Sequence, residues 1–64
     1  MKVLTFEYLD TGEKWEHGPN EWILTYCNFN TQKHPSLWRI GHSETVRDVN
    51  GREVKITMVR KNEP

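Results

Sequence analysis

"EWILTYCNF", residues 21–29, holds the densest run of large apolar side chains in the chain, and the fold turns on what it forms. Taken at a period of two, it places Trp22, Leu24 and Tyr26 on one side and Ile23, Cys27 and Phe29 on the other. A strand wetted on one side alternates apolar with polar residues, so a strand apolar on both sides is either covered twice or keeps one side for a partner. Residues 21–29 are therefore expected to form a strand that is either central in a closed or doubly covered sheet or bare on one face for a partner.

Alternation also dominates on both sides of this stretch. "KVLTFEYL", residues 2–9, sets Leu4, Phe6 and Tyr8 on one face with the β-branched and aromatic types that suit a pleated surface. Asp10-Thr11-Gly12 reads as a turn and "EKWEH", residues 13–17, as the returning strand, with Tyr8 opposite Trp15 when the loop spans residues 10–13. Gly18-Pro19-Asn20 breaks the chain. "SLWRIGH", residues 36–42, is expected to be the next strand after a polar loop from Asn30 to Pro35.

The last third carries the strongest hairpin signal, Asn50-Gly51 between alternating segments. A two-residue loop would set Asp48 against Glu53. A three-residue loop, Val49-Asn50-Gly51 with Gly51 left-handed, instead opposes Asp48 to Arg52, Arg47 to Glu53 and Val46 to Val54, which suits both charge and packing. The rival reading is a short helix over residues 44–50, capped by Ser43 and stopped by Gly51.

These elements together predict an all-β protein: a small antiparallel barrel or strongly curved sheet of five to six short strands, in the size class of SH3-like and OB-like barrels. The 64 residues are expected to form one domain over 1–60 with a frayed tail at 61–64. So short a chain buries only about 60% of the surface its unfolded form exposes. With 34% hydrophobic residues and a mean hydropathy of −0.87, three Trp, two Tyr and two Phe must supply much of the core.

Chemistry is sparse. Cys27, His34 and His42 fall within seventeen residues, yet no short-spaced Cys or His pair of the kind that holds zinc is present. In a hairpin with the Asn30–Pro35 loop, Cys27 faces Trp38 and lies four rungs from His42, roughly 13 Å, too far to share an ion. Neither metal nor cofactor is expected, and Cys27 reads as a small buried hydrophobe. A Cys27–His34 nucleophile pair lacks an orienting third group, the glutamates Glu7, Glu13, Glu16 and Glu21 read as a solvated edge, and no phosphate-cradling glycine loop occurs. No enzyme is expected.

No apolar run has the length of a signal peptide or a membrane span, and a lone cysteine suits a reducing compartment, so a cytoplasmic location is expected. Net charge is zero but uneven in sequence. Residues 1–32 carry Lys2 and Lys14 against Glu7, Asp10, Glu13, Glu16 and Glu21, a balance of −3, and residues 33–64 carry +3. Such asymmetry marks a polar binding surface unless the two halves interleave in space.

Two binding surfaces compete. In the hairpin register above, Trp22, Leu24, Tyr26 and Leu37 share one face, with Lys33 and His34 at the loop tip. These six residues are the candidate contacts with a larger protein partner, aromatics being the residues that dominate interface centres. A second copy of the chain is the other protein partner considered. The competing surface, Trp38, Arg39, Arg47, Arg52 and Lys55, would suit a single-stranded nucleic acid by stacking and charge, against the lack of net positive charge.

"DVNGREVKITMV", residues 48–59, resembles hairpins of small phage-encoded inhibitors, among them the inhibitors of uracil-DNA glycosylase. The uracil-DNA glycosylase inhibitors are strongly acidic DNA mimics, whereas this chain is neutral and lacks their acidic strand, so no site residue is carried across. The functional expectation is a small non-enzymatic module that binds and modulates or inhibits a larger protein, of the kind phages and mobile elements use against a host protein.

Overall fold

Residues 1–61 are described by the computed structural model. Four antiparallel strands form one open sheet, in the order β2-β1-β4-β3: β1 (Lys2–Tyr8), β2 (Lys14–His17), β3 (Ser43–Arg47) and β4 (Glu53–Arg60). Among the described residues one α-helix, α1 (Trp22–Phe29), lies between β2 and β3 in sequence, flanked by 3-10 turns at Pro19–Glu21 and Pro35–Leu37. The protein is thus mostly β, but the described residues form four strands rather than five or six, and their sheet does not close into a barrel.

The hairpin β3–β4 has the register that charge and packing demanded. Arg47 faces Glu53 and Val46 faces Val54. The Asp48 N–H donates to Arg52 O (3.0 Å), and Gly51 sits at φ 80°, a left-handed conformation that glycine adopts without a Cβ penalty. Residues 44–50 therefore contain no helix; Val46 alone of that segment packs on the core, and one side chain cannot anchor a helix.

β1 and β2 pair two residues out of the expected register. Phe6, rather than Tyr8, lies opposite Trp15, their rings stacked at 5.0 Å and 8°. The Tyr8 N–H reaches Glu13 O (2.9 Å) and the Gly12 N–H reaches Tyr8 O (2.8 Å), with Gly12 at φ 78°, so the turn closes over Leu9–Gly12. A shift of two keeps every side chain on its original face, which is why the core is unaffected.

Residues 21–29 are the principal departure from the strand reading. Pro19 starts a 3-10 turn, its fixed φ fitting the first position, and the chain continues into α1. α1 ends where Asn30 turns left-handed (φ 52°, ψ 48°) and donates its N–H to Tyr26 O (3.1 Å). The same letters that alternate at a period of two also place Trp22, Thr25 and Phe29 at i, i+3 and i+7, one helical stripe. Thr25 is buried, and Trp22 and Phe29 pack against the core, with the Phe29 and Phe6 rings 5.6 Å apart. Eight residues do not hold a helix in water by propensity alone, so this packed stripe is what keeps α1 folded.

Residues 36–42 are not a strand either. After the Pro35–Leu37 turn the chain passes Trp38, turns at Gly41 (φ 91°), and returns to the sheet where Gly41 N–H donates to Met58 O and Met58 N–H to His42 O. Trp38 leaves this connection and enters the core at 2% exposure, its indole Nε1–H satisfied by Lys33 O (3.0 Å). The core comprises Leu4 and Phe6 of β1, Val54, Ile56 and Met58 of β4, and Trp38, with Tyr8, Trp15, Trp22, Phe29 and Val46 around it.

The sheet thus has one covered face and one largely open face, on which Val3 is buried. The open face carries Thr5, Glu7, Lys14, Glu16, Lys55 and Thr57, around a shallow depression of about 440 Å³. Cations of the second half of the chain meet acids of the first across the sheet, as in Arg52–Asp10 and Lys61–Glu16, so the asymmetry of charge in sequence is interleaved in space. Lys61 extends the β1–β4 ladder by exchanging bonds with Met1 (2.8 and 3.2 Å). Residues 62–64 of the expected tail lie outside the described residues.

Candidate functional site

Half of the large apolar side chains exposed among the described residues, Ile23, Leu24, Tyr26 and Leu37, belong to α1 and the Pro35–Leu37 turn. Because Trp22, Thr25 and Phe29 face the sheet, the opposite side of α1 carries Ile23, Leu24 and Cys27, and all three are exposed. Ile23 is 56% exposed and Leu24 57%, while Leu37 on the adjoining turn reaches 70%. No residue of α1 is charged, although surface helices ordinarily carry charge on their outer face. The patch is therefore a consequence of a helix that is apolar nearly all round and covered on one side only.

Local structure fixes the margin of this patch. His34 is extended and caps the Pro35–Leu37 turn, its Nδ1 accepting the Ser36 N–H (3.1 Å). Pro35 is buried and restrains the residue before it to extended backbone. The His34 ring then lies 5.2 Å from the Tyr26 ring, joining turn to helix. Thr31, itself buried, donates its hydroxyl to Lys33 O (2.9 Å), the carbonyl that also receives the Trp38 indole. The loop from Asn30 to His34 is thus held by the core rather than left as a free tip.

Of the six residues expected to contact a protein, the structure exposes Leu24, Tyr26, Lys33 and Leu37, brings Tyr26 and His34 into contact, and turns Trp22 toward the core. Ile23 and Cys27 join the exposed set. The two-faced pattern of residues 21–29 contained the signal for them, because a helical reading separates an inward stripe from the rest. Cys27 was expected to point inward beside Trp38; it points outward, since helical geometry rotates it away from Trp22 and Phe29.

The nucleic-acid candidates are dispersed. Trp38 is buried and offers no face to a base. Arg52 is held by Asp10 through two bonds (3.1 and 3.2 Å) and lies over the Tyr8 ring. Arg47 donates to Gly51 O (3.1 Å), and Lys55 stands opposite Glu7 on the sheet. Arg39 is exposed in the connection after Trp38. These cations alternate with acids instead of forming a continuous basic track.

A polar cluster ties the two hairpin turns together. The Tyr8 hydroxyl donates to Asp48 Oδ2 (2.9 Å), while Asp48 Oδ1 accepts the N–H groups of Asn50 (2.8 Å) and Arg52 (3.0 Å). The bond to Asp48 pushes the Tyr8 phenol up from its ordinary value, with desolvation acting in the same direction. At Asp48 desolvation works against the charge, but the Arg52 and Asn50 amides and the Tyr8 hydroxyl together hold the carboxyl below its ordinary value. Hydrogen bonding from Arg52 lowers Asp10 likewise, and Asp10 in turn raises Arg52. Every member has a partner within the fold, so the cluster reads as a structural clasp.

Among the described residues no group of three or more His, Cys, Asp and Glu side chains is placed to hold a metal ion, and no helix is long and apolar enough to cross a membrane. His42 pairs with Glu44 (3.1 Å) and His17 with Glu21 (3.4 Å), far apart in the fold's connectivity. Comparison of the chain with protein-family models, with curated proteins and with solved structures found no match in any of the three.

Proposed function

We propose that the protein is a non-enzymatic binding module that engages a larger protein through the outer face of α1 and the Pro35–Leu37 turn, and modulates that partner by occupying it. The observation that carries this reading is the uncharged exterior of α1, where Ile23, Leu24 and Cys27 are exposed beside Tyr26 and Leu37. Burying apolar area of this kind is worth about 25 cal/mol per Å², and an interface core is where charge is depleted and Tyr enriched. Lys33 and His34 supply a polar rim.

The test is capture from a nuclease-treated lysate of the source cell, using the tagged protein and a Ile23→Ser/Leu24→Ser double variant. Both substituted residues are more than half exposed, so the variant is expected to keep the wild-type circular dichroism and melting curve. Loss of a stoichiometric partner from the variant supports the assignment. Equal capture by the two proteins removes the α1 face from consideration.

A further inference from the structure

We infer that β3 is a self-pairing edge, through which two copies of the chain join their sheets across a two-fold axis at Thr45. In an antiparallel ladder, alternate residues turn their N–H and C=O groups toward the neighbouring strand and the others turn them away. The Asp48 N–H bonds to Arg52 O and the Met58 N–H to His42 O, so the even-numbered residues of β3 face β4. Ser43, Thr45 and Arg47 therefore direct their backbone groups outward, where no further strand borders them among the described residues.

That edge is complementary to itself. A second β3 laid antiparallel about Thr45 opposes Thr45 to Thr45, Ser43 to Arg47 and Glu44 to Val46, with no like charges facing each other. Threonine pairs across strands are themselves favourable. Each of the three outward pairs exchanges two backbone bonds, six in all. β3 contains neither Pro nor Lys, the residues that guard exposed edges most often. The Asn30–Gln32 segment lies beside it, with the Gln32 N–H on Glu44 Oε1 (3.1 Å), and leaves a groove along Glu44, Thr45 and Val46.

The other edge is less suited. β2 has only four residues, of which Lys14 and Glu16 face outward, and Lys61 occupies the Glu16 carboxylate. A dimer through β3 would also extend a small sheet that no intrachain disulfide can reinforce, the chain having one cysteine, and association is a common route to stability at this size. The surface used is separate from the α1 face, so this inference does not depend on the proposed function.

Sedimentation equilibrium on the wild-type chain and on Thr45→Pro and Thr45→Glu tests it. Proline at position 45 removes an outward N–H and leaves the β3–β4 ladder its bonds, whereas glutamate sets like charges opposite each other at the axis, faces Lys55 within its own sheet and leaves every backbone group in place. The wild-type mass is expected to rise from 7.7 kDa toward twice that as concentration approaches about 1 mM, while both variants remain at the monomer mass and the glutamate variant melts no lower than wild type. If proline disturbs folding, the glutamate variant decides alone. A wild-type chain that stays monomeric over this range, a glutamate variant that dimerises as well as wild type, or a dimer abolished by Ile23→Ser/Leu24→Ser overturns the inference.

Discussion

The guanidinium of Arg52 lies 3.7 Å from the centre of the Tyr8 ring while its nitrogens bind Asp10, so one side chain immediately before β4 holds both the end of β1 and the turn that follows it. The same Tyr8 reaches Asp48 in the opposite turn. Two hairpins closed by separate turns are thereby locked at a common end.

Arg52→Ala is accordingly expected to lower the melting temperature, and Arg52→Lys to recover only part of the loss. Lysine keeps the charge over the Tyr8 ring but cannot present two coplanar N–H groups to Asp10. Thermal unfolding followed by circular dichroism checks the order wild type, Lys, Ala; equal melting of Lys and wild type would remove the fork from the account.

The clasp also predicts how stability responds to pH. Asp10 and Asp48 are held below their ordinary value of 3.8, so their contribution is complete above that value and is lost as pH falls below it, through the lowered folded-state values. Tyr8 is raised above 10.0, so its contribution is complete below pH 10 and is lost as pH rises beyond that. Denaturant melts across pH 2–6 should show an acid-side decline that is shallower in Asp10→Asn, since that variant has one fewer carboxylate to protonate.

The aromatic residues divide into removable and irreplaceable. Trp38→Ala is expected to cost about 3–5 kcal/mol, as truncation of a fully buried Trp does, and to leave little folded protein in so small a chain. Trp22→Ala should cost less, about 2–3 kcal/mol, because Trp22 is only partly buried. Trp22→Phe should fall within about 1 kcal/mol of wild type, since the buried Trp22 Nε1 has no hydrogen-bond partner and phenylalanine removes that unsatisfied group. Equilibrium unfolding in urea measures all three.

Backbone conformation sets a further test at Gly51. A Cβ there meets no atom within 4 Å, but φ is 80°, so Gly51→Ala is expected to cost about 1–2 kcal/mol through the left-handed penalty alone. Gly51→Asn should cost less, because asparagine tolerates that region. Urea unfolding that shows alanine and asparagine to be equivalent would contradict a left-handed position 51.

How far the sequence disclosed this structure depends on whether local signals agreed. β1, β2 and the β3–β4 hairpin were readable because alternation, turn residues and cross-strand charge pointed the same way; Arg47 opposite Glu53 and Val46 opposite Val54 follow from charge and size. Residues 21–29 were not, since a short apolar run satisfies both a period of two and the stripe Trp22, Thr25, Phe29. Pro19, which opens the turn into α1, and Asn30, which stops it, were the signals that favoured the helix. Trp38 misled for a different reason. A tryptophan among alternating residues resembles a strand position, but here a loop residue fills the core from outside the sheet. The contact surface was legible in kind, as apolar excess on one side of residues 21–29, but its membership changed when strand became helix and exchanged Trp22 for Ile23 and Cys27.

The reactivity of the Cys27 thiol toward a chromogenic disulfide, measured in the isolated protein and again in the captured complex, reports whether a partner binds on the outer face of α1. With Cys27 on the outer face of α1, the thiol should react in the native protein about as fast as in denaturant, and the captured partner should suppress that reaction at least tenfold. A thiol silent until the protein unfolds would place Cys27 in the interior. A thiol equally reactive in the complex would place the partner elsewhere than on α1.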